Sequence, residues 1–322
     1  MTDSEKPSTP LPSDPVEHDL VYALACTPDL AVCFAARGSG LYRSLDQGHS
    51  WAPCYGSLGL SGPLPTTSVA LTPEYDGVTH RTLFAGVPGG VLRSVDGGET
   101  WTASSLASPP PAVSCLAISP AFEEDGVVLA GTTEDGVFRS ATHGSHWARW
   151  NFGLLDLHVY CLAISPGFAT DETLFAGVES GLFRSTNGGR AWREVELAVG
   201  YEPVVSLALS PHFPEDGHLF VGTETQGLQF SADGGASWTR LGAELIRDPV
   251  NSIILSDDYP ANRSLLVLCE TAIWVSADGG ASWCLLEDTP ERMSAVAAPQ
   301  GLSSGALLLV GTLSGEVVRL TL

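Results

Sequence analysis

Five carboxylates fall at related places in a repeated pattern. Glu134 and Asp135 stand together, and Glu179, Glu224 and Glu270 each occupy one equivalent turn further along. Such a set can hold a cation or pair with a basic segment of a partner. Two of its members facing each other across a cleft could also cleave a glycosidic bond. The alternative is a solvated acidic rim. Four aromatics in connecting segments, Tyr55, Trp150, Phe152 and Tyr201, could stack on sugar rings or anchor a peptide, or could cover gaps in the core. His143 and His146 lack a Cys or carboxylate at ligand spacing, so they are a weak zinc signal. The sequence has no H-E-x-x-H and no phosphate-binding glycine loop. No metal, cofactor or catalytic residue is expected.

What positions these residues is a segment written six times. Residues 231–238 and 276–283 both read SADGGASW, and looser copies begin at Ser44, Ser94, Ser140 and Ser185. The spacings of 45 to 50 residues indicate a solenoid, a propeller or an array. Gly supplies the positive φ that a tight hairpin needs. An Asp two residues after the serine can fold its carboxylate onto loop amides, and the closing Trp can staple the hairpin to the sheet. The Asp position holds Asp46, Asp96, Thr142, Asn187, Asp233 and Asp278. Thr and Asn keep an oxygen acceptor but no charge, so the segment reads as structural and not as a metal or catalytic site.

Around each copy the same order recurs. A short apolar strand ends in Pro, as in CLAISP, and a loop with an aromatic and an acid follows, as in F122-E-E-D125. A second strand such as LFAG, a turn, and a third strand running into the repeated segment come next. Four short strands per repeat make one propeller blade. Counting second and third strands gives seven blades, the last of which stops before a further copy. The expected fold is all-β: one seven-bladed propeller over residues 19–322, behind a Pro-rich polar tail at residues 1–18. Part of residues 5–18 is a candidate closing strand along Glu316–Leu320. In the first strands a small residue recurs at Ala23, Ser68, Cys115, Cys161, Ser206, Ser252 and Ser294, as an innermost strand near an axis requires.

The pattern S-x-D-x-G-x-x-W resembles the Asp-box (BNR) repeat of β-propellers. That superfamily includes sialidases and other glycosidases, sortilin-type receptors and a photosystem II assembly factor. The resemblance implies that activity lies on the face opposite the boxes. Sialidases carry an Arg-Ile-Pro motif and three substrate-binding arginines. This chain has no Arg-Ile-Pro, and Arg43, Arg93, Arg139, Arg184 and Arg319 stand at one repeated position, where they are expected to pair with blade-surface groups.

A net charge of −22 with only 16% charged residues disfavours nucleic acid and anionic membranes as partners and favours a basic one. Seven cysteines without C-x-x-C spacing form no disulfide framework, and Cys115 and Cys161 read as small core residues. No signal peptide or membrane span is visible, so the expected location is cytoplasmic. The expectation is a non-catalytic interaction or assembly platform acting through the face opposite the boxes. The alternative is a glycoside hydrolase or carbohydrate-binding module.

Overall fold

The computed structural model describes residues 19–322, so the tail and its candidate closing strand lie outside the described residues. Six four-stranded antiparallel sheets and one three-stranded sheet follow one another along the chain as seven blades in a ring. Blade four shows the plan: strands at Val159–Ile164, Leu174–Val178, Gly181–Ser185 and Arg193–Val195 pair in chain order. The second strand is buried along its whole length in blades one to six except for Arg37, because a neighbouring blade covers each face. This is why LFAGV is continuously apolar and does not alternate. Outer strands are short and exposed, Ala52–Pro53 and Ala148–Arg149 being the extremes. Blade seven has three strands among the described residues: Met293–Ala297, Leu307–Thr312 and Val317–Thr321.

The boxes form as their residue types require. In the fifth, the Ser231 hydroxyl donates to Asp233 Oδ1 at 2.8 Å and accepts the Gly235 N–H at 2.8 Å. Asp233 also accepts the Ser237 N–H at 2.8 Å and the Ser237 hydroxyl at 2.6 Å. Asn187 accepts the equivalent bonds from Ser185 and the Ala191 N–H, and Thr142 takes the His146 N–H at 2.9 Å. The boxes are therefore hydrogen-bonded caps. The closing tryptophans lie against their own hairpin glycines, with Trp283 donating to the Gly280 carbonyl.

These bonds make the boxes acid-sensitive. The Ser237 and Ser282 donors hold Asp233 and Asp278 down at about 2, and the Thr100 donors overcome burial to do the same for Asp96. A carboxyl depressed in the folded state stabilises above its ordinary value of 3.8 and loses that contribution as pH falls toward 2. The melting temperature is expected to drop between about pH 5 and about pH 2, and less steeply in Asp233→Asn. Parallel curves for the two proteins would refute this assignment.

Neighbouring blades are fastened in three ways. First, a polar side chain at the start of an inner strand donates to the backbone of the next blade: Thr67 to Val113, Ser114 to Val159, Cys161 to Val204, Ser206 to Val250 and Asn251 to Met293. Ser294 donates to the Val21 carbonyl at 2.7 Å and so joins blade seven to blade one. Second, Arg43 reaches Gly97 in the next box at 2.8 Å and Arg184 reaches Gly234 at 3.2 Å, while Arg319 meets His49 across the closure. These arginines bind the following box. Third, an aromatic on a second strand meets the ring in the next blade's first loop edge-on, as in Phe34–Tyr75, Phe84–Phe122, Phe175–Phe213 and Phe220–Tyr259.

In blades three to five those first loops are single helical turns, Phe122–Asp125, Phe168–Asp171 and Phe213–Asp216. Their acids serve the turn itself, since Asp125 accepts from Ser119 and from the Val127 N–H. One register differs from expectation. A bulge between Met293 and Ala295 places Ala295, and not Ser294, opposite the strand-two glycine Gly311. Ser294 instead takes the inter-blade donor position. All seven cysteines are free, and burial pushes Cys115 up to about 12. No helix among the described residues is long and apolar enough to cross a membrane.

Candidate functional site

The turn between strands two and three shares a face with the blade connections, opposite the boxes. Connection acids fix this turn in three blades. Asp19 accepts the Ser39 N–H, Asp156 the Ser180 N–H at 2.7 Å, and Glu202 the Thr225 N–H. Burial works against the charge on Asp156, but the His158 and Ser180 donors outweigh it and hold its carboxyl below the ordinary range.

The predicted acidic set divides. Asp135 is paired with Arg149 at 2.5 Å, and Glu270 with Arg292. Glu134, Glu179 and Glu224 stay exposed, and among the described residues no ion pair involves Glu134 or Glu224. Tyr160, on the inner strand of blade four, has its hydroxyl pKa raised by burial and then by Glu179, Glu224 and Asp156. Those acids therefore gather around blade four and its neighbours.

The aromatic set divides as well. Tyr55 is a correction: it is buried, with its hydroxyl 2.8 Å from Thr66 Oγ1 and its ring edge-on to Trp101. The first connection folds back over the blade gap, so this ring became core. Trp150 fills the gap between blade three and the fourth box, with Arg139 4.4 Å over its ring and its carbonyl accepting the Trp192 indole N–H. Phe152 is 80% exposed on the same connection, where its carbonyl accepts the Trp192 N–H. Tyr201 is 83% exposed. His143 lies edge-on to Phe122 with Nε2 3.4 Å from the Glu123 carbonyl, and His146 only closes its box.

The structure brings together residues that sequence reasoning did not assemble. A groove of about 570 Å³ runs from Glu134 past Leu155, Asp156 and His158 to Ser180, Glu194 and Tyr201. A second hollow of about 410 Å³ shares Ser180, Glu194 and Tyr201 and adds Glu196 and Leu197. Leu155 is 81% exposed at this edge. The groove thus sets apolar Leu155 and Tyr201 among carboxylates from two blades and two connections. His158 stands between two of them, Nδ1 lying 3.3 Å from Asp156 and 3.5 Å from Glu179. The sequence carried one signal, an Asp-x-His just before an inner strand, but not the turn it would meet.

No protein-family model and no curated protein sequence matches the chain. Solved structures do match in fold. A GH74 xyloglucanase from Xanthomonas campestris superposes with a TM-score of 0.71 at 18% identity, over 93% of this chain and 51% of that one. YCF48 bound to D1 peptide superposes at 0.69 and 16% identity, covering 94% of both chains. The extracellular domain of a putative one-component system from B. thetaiotaomicron gives 0.70 and 14%, over 94% of this chain and 38% of that one. The chain therefore spans about half of the xyloglucanase, 38% of that extracellular domain and nearly all of YCF48. The likeness is one of architecture: this chain is a seven-bladed β-propeller of the kind those proteins share.

Proposed function

We propose that this propeller is a non-catalytic platform that takes a basic, apolar segment of a partner protein into the groove at blades three to five. The observation that carries the reading is the placement of exposed Leu155 and Tyr201 among Glu134, Asp156 and Glu194. Lysines or arginines of a bound segment would meet carboxylates, and its apolar side chains would cover Leu155 and the Tyr201 ring. The net charge of −22 would speed capture of such a segment at low salt. YCF48 bound to D1 peptide, a propeller of the same fold, is consistent with peptide binding by this architecture.

The second reading is carbohydrate binding or hydrolysis, favoured by the exposed Tyr201 ring in a groove and by the fold likeness to GH74 enzymes. Hydrolysis would call for a carboxyl held protonated by its surroundings. The carboxyls that shift here, including Asp46, Asp76, Asp156 and Asp233, shift downward.

The test is anisotropy of a labelled peptide alternating Arg and Leu, titrated at low and high salt. Leu155→Ser with Tyr201→Ser, and separately Glu134→Gln with Glu194→Gln, are each expected to weaken binding by about tenfold or more, roughly 1.4 kcal/mol. Binding that the apolar pair leaves untouched would be charge attraction alone and would sink the proposal. Xyloglucan oligosaccharide binding lost in Tyr201→Ser would establish the second reading instead.

A further inference from the structure

We propose that Asp156, His158 and Glu179 form a surface site for one divalent first-row transition ion, of which zinc is the best fit. This is independent of what occupies the groove. His158 Nδ1 lies 3.3 Å from Asp156 Oδ1 and 3.5 Å from Glu179 Oε2, and all three donors lie within 4.8 Å of one another. A four-coordinate ion with N and O ligands at about 2.0–2.2 Å holds its donors about 3.3–3.6 Å apart, the edge of the tetrahedron. Two of the three separations already have that length, and the third closes by rotation of Glu179, which is exposed and carries no other ion pair among the described residues.

The donor set narrows the ion. One imidazole and two carboxylates suit zinc and its neighbours, whereas calcium takes six to eight oxygens and magnesium keeps a nearly complete octahedron of oxygen and water.

The supporting contacts also fit a metal site. Asp156 is the least exposed of the three and is oriented by the Ser180 N–H on Oδ2 and the His158 N–H on Oδ1. Fixed outer contacts of this sort aim a carboxylate ligand and are part of most metal sites. The His158 carbonyl accepts the Glu179 N–H at 3.2 Å, so the chain segments carrying all three donors are tied to each other. Three protein ligands leave the fourth position to water or to a donor from the groove's occupant.

The experiment is a titration of the full, tag-free chain with Co²⁺ alone, read by visible absorption, followed by Zn²⁺ displacement in a calorimeter. One ion per chain is expected. His158→Ala and Glu179→Gln should each weaken affinity about tenfold or more, the scale on which lost metal-site contacts act. Both side chains are about half exposed or more, so melting of the metal-free variants should match wild type. His146→Ala, in the third box, should bind as wild type does. No cobalt band at millimolar ion, unchanged affinity in His158→Ala, or an equal loss in His146→Ala would each overturn the assignment.

Discussion

Replacing Phe175 by alanine is expected to destabilise the ring by about 3–5 kcal/mol, measured by urea unfolding. Phe175 is fully buried in the second strand of blade four, opposite Ala163 on one side and Arg184 on the other. Its ring meets Phe213 of blade five at 5.6 Å, near perpendicular, and shares a cluster with Leu182, Leu219 and Val221. Truncation opens a void between two blades, and the size of the loss depends on whether they can close it. They are held apart by fixed points: Cys161 Sγ on the Val204 carbonyl and Arg184 on Gly234 in the fifth box. Collapse would break those contacts, so the cost should sit high in the range. Phe175→Leu should recover most of it. Phe152→Ala, at an 80% exposed ring, should stay within about 0.5 kcal/mol of wild type. A loss below about 1 kcal/mol for Phe175→Ala would mean that the blades are not rigidly fastened.

The contrast between Phe175 and Phe152 also marks what the residue pattern could reveal. Repetition made the blades legible, because every copy must bury the same two faces and so repeats its apolar strand, its turn glycine and its Trp. It also made the box readable as structure, since Thr142 and Asn187 keep the acceptor without the charge. The inter-blade aromatic clasp was written in blades two, three, five and six as a loop aromatic, yet its partner lies about 40 residues earlier in the previous blade. Nothing local distinguishes that ring from an exposed one.

The candidate site was half legible. Glu134, Glu179 and Tyr201 are readable from the repeat as turn or connection residues on the face opposite the boxes. Asp156 and His158 were missed because they occur in one connection only, and their meaning arises when the blade-four turn comes down beside them. Tyr55 was misjudged for the converse reason. Residues 54–67 fold back against blade two, and the ring that a linear reading leaves outside is covered. Connection residues take their environment from two blades at once, so pattern within one repeat underdetermines them.

Gly177→Ala tests whether blade spacing is set by the glycines of the second strands. Gly177 faces Cys161 across the sheet, and the first residue of blade five's inner strand, Val204, lies over it. A Cβ at Gly177 would sit 2.5 Å from Cys161 Sγ, 2.6 Å from Val204 Cγ1 and 2.6 Å from the Val204 carbonyl oxygen. Side chains could shift by a few tenths of an ångström, but the carbonyl belongs to a strand paired along its length with Leu219–Thr223. Gly177→Ala is therefore expected to cost at the upper end of about 1–3 kcal/mol, although alanine ordinarily favours a strand over glycine. The same stacking recurs at Gly131 beneath Val159, so Gly131→Ala should behave alike. A double-mutant cycle locates the cause. Val204→Ala alone should destabilise by loss of a buried side chain, yet combined with Gly177→Ala it should cost less than the sum, because one struck atom is gone. The carbonyl contact remains, so rescue should be partial. Full additivity would mean that Gly177 is placed for backbone freedom and not for the neighbour. Gly181 supplies that case within the same hairpin: nothing lies within 4 Å of its Cβ position, but its φ of +146° strains any other residue. A Gly177→Ala protein that keeps wild-type stability would show that neighbouring blades can slide apart by a methyl group. The groove at Ser180 and Tyr201, built from blade four and its two connections, would then be adjustable in width. A substantial loss would make the groove as rigid as the ring, with its ligand selected by fixed spacing.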